Sequence, residues 1–292
     1  MKTKLQGTGV AIVTPFHNYG TIDFTSLGRL LNYVIEGGVD FIVSLGTTSE
    51  APTLTADEKE AVMHFVIDTI NGRVPLVMGI GGNSTGSVVG TIKKTRFTGI
   101  DAILSVAPYY NKPNQKGIYN HFKNIAAASP VPVILYNIPG RTASNISTET
   151  VLQLAHDFDN IIAVKEASGN LQQVMDILRQ KPDDFQVFSG DDALTYPMMT
   201  LGATGVISVI ANVFPADFSK MVTALLQNNI KEALAIHYRL LPVMKLLFED
   251  GNPAGIKAAL EIKGIIKNNL RLPMVKANKA VYFALQKRLQ EL

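Results

Sequence analysis

Eight short apolar runs, each closed by turn residues, constrain this chain more than any other feature; they cover 9–14, 41–45, 76–80, 102–107, 131–136, 161–165, 185–188 and 205–209. Stretches with apolar residues near i, i+3 and i+4 lie between them, at 24–36, 57–70, 118–128, 148–156 and 171–179 among others. Strands that alternate with helices pair in parallel, because each crossover helix returns the chain to the same end of the sheet. Two helix starts are legible. Thr55 before Ala56-Asp57-Glu58 reads as a capping box, and Ser147 before Thr148-Glu149-Thr150 as a less complete one. Eight parallel strands close a (β/α)8 TIM barrel of the α/β class. The competing architecture is an open doubly wound sheet, whose ligand would sit at a switch point in strand order. The count of eight and the polar chemistry at several strand ends favour the barrel. After the eighth run the pattern changes: helical stretches at 216–227, 230–248, 253–266 and 279–289 follow one another with no strand between them. The expected organisation is a barrel over 1–229 and a helical extension over 230–292.

Composition narrows the function classes. A chain of 292 residues, 47% of them hydrophobic, can bury one large core. Cysteine is absent, which removes disulfides, thiolate metal sites and a cysteine nucleophile. Lys plus Arg number 27 against 24 Asp plus Glu, and a net charge of +3 without a basic cluster gives no nucleic-acid footprint. Residues 1–9 lack the apolar core of a secretion signal, and no apolar run reaches membrane-spanning length. The expectation is a cytoplasmic enzyme or binding protein with no membrane and no nucleic-acid partner.

The strongest chemical lead is Lys165, inside the run Ile161-Ile162-Ala163-Val164-Lys165. Burial in an apolar strand disfavours an ammonium and makes a neutral amine available, and neutral amines attack carbonyls. The bland reading is a strand-end lysine that snorkels to water or pairs with a carboxylate. Glu166 is a poor partner, since adjacent strand residues face opposite ways.

In a barrel of this kind, residues where strands run out into loops build the site. Gly46-Thr47-Thr48-Ser49-Glu50 follows the second run, where hydroxyls and amides could hold a carboxylate, or simply make a turn before a helix cap. Pro108-Tyr109-Tyr110-Asn111 follows the fourth, two phenols in a Pro-rich loop that read as functional side chains, as an aromatic patch that buries a subunit contact, or as both together. The fifth ends in Tyr136-Asn137-Ile138-Pro139-Gly140-Arg141-Thr142: a phenol that could shuttle protons to Lys165, then an arginine that could fork a carboxylate or face solvent. Ser189-Gly190-Asp191-Asp192 follows the seventh. Paired acids suggest a metal, but His17, His64, His121, His156 and His237 are scattered, so no metal is expected and the aspartates read as caps. Gly79-Ile80-Gly81-Gly82-Asn83-Ser84 lacks the full dinucleotide fingerprint.

Taken in order, Gly46-Thr47-Thr48, Pro108-Tyr109-Tyr110-Asn111, Tyr136 to Thr142, Val164-Lys165-Glu166-Ala167, Ser189-Gly190-Asp191-Asp192, Gly205-Val206-Ile207-Ser208 and Leu270-Arg271-Leu272-Pro273-Met274 resemble the dihydrodipicolinate synthase family over nearly the whole chain. The resemblance implies a homotetrameric barrel lyase, of the N-acetylneuraminate lyase superfamily, that joins pyruvate to aspartate 4-semialdehyde on the diaminopimelate route to lysine. It implies no cofactor beyond a covalent imine of pyruvate on Lys165. In the implied roles, Tyr136 is the general acid and base, and Thr47 passes protons between Tyr136 and Tyr110, the latter reaching over from a neighbouring subunit. Thr48 holds the pyruvate carboxylate and Arg141 that of the aldehyde, while the Gly190 and Ile207 backbones line the pocket. Related lyases acting on sugar acids usually lack the Gly-Arg-Thr found here. Two departures stand out: Ser49 replaces a common glycine, and Ala56 and Ser87 replace the histidine and acid usual in lysine-inhibited members, which implies weak or absent lysine feedback. A keto-acid sensor without catalysis and a metal-dependent aldolase using Asp191 and Asp192 are the rival readings.

Overall fold

The polypeptide is described over residues 5–292 by a computed structural model. All eight apolar runs are strands: β1 (Gly7–Ala11), β2 (Phe41–Ser44), β3 (Leu76–Gly79), β4 (Ala102–Val106), β5 (Val133–Asn137), β6 (Ile161–Glu166), β7 (Gln186–Ser189) and β8 (Gly205–Ser208). They form a closed parallel barrel in sequence order, β1 to β8. The open doubly wound alternative is therefore excluded. The helices are α1 (Phe24–Glu36), α2 (Ala56–Ile70), α3 (Thr85–Lys94), α4 (Gln115–Ala128), α5 (Pro139–Thr142), α6 (Thr148–Asp157), α7 (Leu171–Gln180), α8 (Thr195–Thr200), α9 (Pro215–Leu226), α10 (Ile230–Glu249), α11 (Ala254–Ile262) and α12 (Lys279–Gln290). Among the described residues no helix is long and apolar enough to cross a membrane.

Two compact units make up the chain. The first, Leu76–Ile207, holds β3 to β7 and most of β8. Its strands are apolar on both faces, as parallel strands covered by helices must be. Val77, Ile103, Ile134, Leu135, Val164, Val187, Phe188 and Val206 have no exposed surface. The pairing that matters most for chemistry is on β5 and β6, where Tyr136 lies opposite Lys165 and Asn137 opposite Glu166.

The second unit combines Leu5–Pro75 with Ser208–Leu292. Helix α1 starts at Asp23, whose carboxylate accepts from the Ser26 amide at 2.9 Å, and it buries Leu27, Leu30, Leu31 and Val34 on one stripe. Each of those side chains contributes about 1.5–3 kcal/mol by leaving water. The capping box of α2 forms as expected, with Glu58 N donating to Thr55 Oγ1 and Thr55 N to Glu58 Oε2. Asn212 closes the end of β1: its Nδ2 donates to Ala11 O at 2.9 Å and its Oδ1 accepts from Val13 N at 3.3 Å. Helix α10 buries Ala233, Ile236, Leu240, Val243, Met244 and Leu247, again one stripe.

Boundaries differ modestly from the periodicity. The fifth strand begins at Val133 rather than 131, and the helix expected over 253–266 ends at Ile262. Helix α3 is not among the expected helices: Thr85 to Lys94 carries two glycines and several β-branched residues, which blur helical periodicity, and only Val88 and Ile92 are buried. The glycine cluster before it has a packing reason, because a Cβ on Gly81 would stand 2.8 Å from Val106 Cγ1 and 3.1 Å from its backbone nitrogen.

Candidate active site

Lys165 sits at the carboxyl end of β6 with 5% of its surface exposed. Its Nζ lies 4.3 Å from the centroid of the Tyr136 ring, also 5% exposed, on the adjacent strand. Amine and phenol are thus brought together by register alone. Strand alternation sends Glu166 the other way. Its Oε2 accepts from Asn137 Nδ2 at 2.9 Å and Gln173 Nε2 at 3.0 Å, and its Oε1 from the Ser168 amide at 2.7 Å. Three neutral donors satisfy this buried carboxylate. Among the described residues, Lys165 forms no ion pair.

Gly190, just past β7, packs against this lysine. A Cβ there would stand 2.6 Å from Ala167 Cβ and 3.1 Å from both Glu166 O and Lys165 Cε. The Gly190 amide donates to Glu166 O at 2.8 Å, which fixes the approach. Asp191 caps the next turn, its Oδ1 accepting from Ala193 N at 2.9 Å. Among the described residues no three His, Asp or Glu side chains converge as metal ligands would. Ile207, 1% exposed, lies in β8.

Tyr110 and Arg141 do not join Lys165 and Tyr136 in the interior. Tyr110 is 88% exposed and held at φ 74. Left-handed backbone costs a bulky residue about 1–3 kcal/mol and persists only where neighbours enforce it. Asn111 does so, its side chain donating to Asn83 O at 2.8 Å and its amide to Tyr109 O at 2.9 Å. Arg141 is exposed on the single turn α5. Thr142 braces that turn, donating to Ser144 O at 2.8 Å and accepting from Ser144 N at 3.1 Å.

In the second unit, Thr47 and Thr48 lie in a 3-10 turn, Thr47–Ser49. Thr48 is 3% exposed, and its Oγ1 accepts from Asn252 Nδ2 at 2.9 Å. Ser49, the departure from the commoner glycine, fits without strain: the left-handed residues are Leu45 (φ 58) and Glu50 (φ 54), and Ser49 Oγ donates to Ile12 O at 2.6 Å. Behind the turn lies a buried ion pair that the sequence reading missed. Glu50 accepts from Lys257 Nζ on one oxygen and from the Arg271 amide, at 3.0 Å, on the other. A signal was available in Ala-Gly-Ile-Lys-Ala-Ala-Leu, where Lys257 is the lone cation of an apolar helix.

A barrel with an enclosed lysine at a strand's carboxyl end, in no ion pair among the described residues, and a phenol ring beneath its nitrogen fits one class: the Schiff-base-forming lyases of the class I aldolase type. Residues 4–292 match the Dihydrodipicolinate synthetase family, and the chain belongs to it. The 4-hydroxy-tetrahydrodipicolinate synthase of Phocaeicola vulgatus is 50% identical over 292 residues, all of this chain and 98% of that one. A solved structure described as a monomeric dihydrodipicolinate synthase variant is 38% identical, with a TM-score of 0.96 over 99% of this chain and 97% of that one. The chloride-inhibited dihydrodipicolinate synthase of Acinetobacter baumannii, solved with pyruvate, is 37% identical, with a TM-score of 0.95 over 98% of each chain.

Proposed function

We propose that this chain is a 4-hydroxy-tetrahydrodipicolinate synthase, condensing pyruvate with aspartate 4-semialdehyde through an imine on Lys165. The observation that carries the reading is the Lys165–Tyr136 pair: an enclosed amine with no anionic partner among the described residues, its Nζ 4.3 Å from a phenol ring. The neutral amine adds to the keto carbon of pyruvate, and loss of water leaves an iminium. That cation drains electron density from the keto carbon, so a methyl proton becomes acidic and the enamine forms. Tyr136 moves the protons, because its phenol shares the lysine's surroundings. The enamine carbon attacks the aldehyde, whose oxygen takes a proton and becomes the hydroxyl. The amino group of the former semialdehyde then adds to the imine carbon, the ring closes, and Lys165 departs as the free amine. No other cofactor enters this scheme.

Thr47, Thr48, Tyr110, Arg141, Gly190 and Ile207 take the roles given by the resemblance. An exposed arginine on a braced turn suits a carboxylated aldehyde arriving from solvent. A tyrosine held outward in an unfavourable backbone conformation suits a residue used by a neighbouring copy, and on that ground we assign a homotetramer. The monomeric relative makes mass in solution the relevant measurement. We further assign residues 1–229 to the catalytic barrel, 230–292 to the helical extension, and the enzyme to the cytoplasm.

The test is reductive trapping. Borohydride with pyruvate should add the mass of a reduced pyruvate imine to the peptide containing Lys165; no adduct would leave only binding, the keto-acid sensor. Offering aspartate 4-semialdehyde, N-acetylmannosamine and glyceraldehyde with pyruvate then ranks the acceptors, and turnover only with N-acetylmannosamine would overturn the substrate assignment. Activity that survives exhaustive chelation removes the metal-dependent alternative.

A further inference from the structure

The turn carrying Thr48 is anchored from the C-terminal segment, by Lys257 of α11 and by residues of the loops on either side of that helix. The residue that ends it, Glu50, adopts φ 54, a conformation unfavourable for a residue with a side chain, and its carboxylate is buried. Both donors on that carboxylate come from the tail: Lys257 Nζ at 2.5 Å and the Arg271 amide at 3.0 Å. Lys257 has no exposed surface. Its ammonium also donates to Asn269 O at 2.9 Å and lies 4.2 Å from the Phe16 ring. Burial pushes this lysine down to about 8, while Glu50 beside it pulls it back up. The anchor therefore resists displacement, since moving Glu50 would strand a buried cation.

Asn252 adds direction to this anchor. Its Nδ2 donates to Thr48 Oγ1 at 2.9 Å. An amide N–H can only donate, so it occupies a lone pair on the hydroxyl and leaves the hydroxyl hydrogen for an acceptor elsewhere. A carboxylate can only accept. The hydroxyl is thus polarised for an anion and mismatched to a donor.

We propose that Asn252, with the Glu50–Lys257 pair holding the turn, is a positioning residue that presets the Thr48 hydroxyl as a hydrogen-bond donor to the keto acid's carboxylate. This rests on the reading of Thr48 given above. It makes the tail part of substrate selection rather than a cover. The discriminating quantity is the KM for pyruvate set against kcat and against the KM for the aldehyde.

Asn252→Asp keeps the shape but puts an acceptor where the donor stood. The Thr48 hydrogen then turns to the new carboxylate, which also repels the substrate. Losing a hydrogen bond to a charged group predicts about a tenfold or greater rise in KM for pyruvate, with kcat and the aldehyde KM changing far less. Lys257→Met should move the same constant in the same direction by loosening the turn. In a Thr48→Val background, Asn252→Asp should add no further rise, a non-additivity that a general packing defect would not produce. Should Asn252→Asp not fold, Asn252→Ala is read by the same constants: a rise confined to pyruvate KM supports the inference, and an unchanged pyruvate KM overturns it. Wild-type protein that forms no borohydride-trapped pyruvate adduct refutes the proposed reaction. Wild type that forms the adduct, beside an Asn252→Asp enzyme with unchanged pyruvate KM, refutes the positioning role alone.

Discussion

Gly190→Ala is the substitution by which the structure most directly exposes its own chemistry to refutation. Backbone strain plays no part, since Gly190 is not among the left-handed glycines. The effect is steric. The new methyl would lie 2.6 Å from Ala167 Cβ and 3.1 Å from Lys165 Cε, against a comfortable carbon–carbon separation of about 3.5–4.0 Å. Ala167 Cβ and Glu166 O are fixed to backbone, so they cannot swing aside as the end of a long side chain could. The shortfall of roughly 1 Å must therefore be absorbed by the strand ends or by the lysine. Overpacking of this kind costs about 1–3 kcal/mol of stability. Misplacing a nucleophile by about 1 Å can cost on the order of 10²-fold in rate. The expected result is a folded enzyme, a few degrees less stable, whose rate of borohydride-trapped imine formation falls by about that factor. Ala167→Gly removes the tighter of the contacts, so the double variant should recover much of the lost rate. Steady-state kinetics, single-turnover trapping and a thermal melt decide the matter. A Gly190→Ala enzyme with wild-type trapping kinetics would mean that Lys165 is not confined as described.

Lys165→Ala should abolish turnover and adduct formation while the melt stays within a few degrees of wild type, because among the described residues this amine contributes no ion pair; a collapsed fold would make the residue structural. Glu58, paired in two places with the Arg271 guanidinium, has its carboxyl held down at about 2. A lowered carboxylate stabilises the fold fully above its unfolded pKa and loses that contribution as pH falls through about 2. Its side chain is 28% exposed, so screening limits the effect to about 1 kcal/mol. Glu58→Gln should lower denaturant-melt stability more at pH 7 than at about pH 3, and a gap that widens in acid would contradict the pairing. Micromolar lysine should leave the initial rate unchanged, because Ala56 and Ser87 supply neither the imidazole nor the carboxylate of inhibited relatives; inhibition in that range would refute the reading.

The barrel was legible because its strands are covered on both faces, which turns each into a continuous apolar run whose ends are marked by turn residues. The same covering made Lys165 visible as an interruption, and strand alternation was enough to set Glu166 aside. What stayed hidden depends on residues far apart in sequence. Asn252 meets Thr48 across 204 positions, and Lys257 meets Glu50 across 207. No local pattern reports such a pairing. The left-handed backbone at Tyr110 was equally unreadable, since a tyrosine gives no sign of a conformation that its own side chain opposes. Lys257 shows why burial alone does not identify a catalytic lysine. By apolar surroundings it is as conspicuous as Lys165, and it is more deeply enclosed, at 0% against 5% exposed. The two differ in what faces the nitrogen. Glu50 and a backbone carbonyl accept from the Lys257 nitrogen, so acceptors of the protein's own stand where a substrate would have to approach. Lys165 has a phenol ring on one side and its neighbouring carboxylate turned away through the strand, satisfied by amides. On the proposed assignment the two lysines are told apart by the anion, a property set by the fold of the acid's own segment as much as by the lysine's.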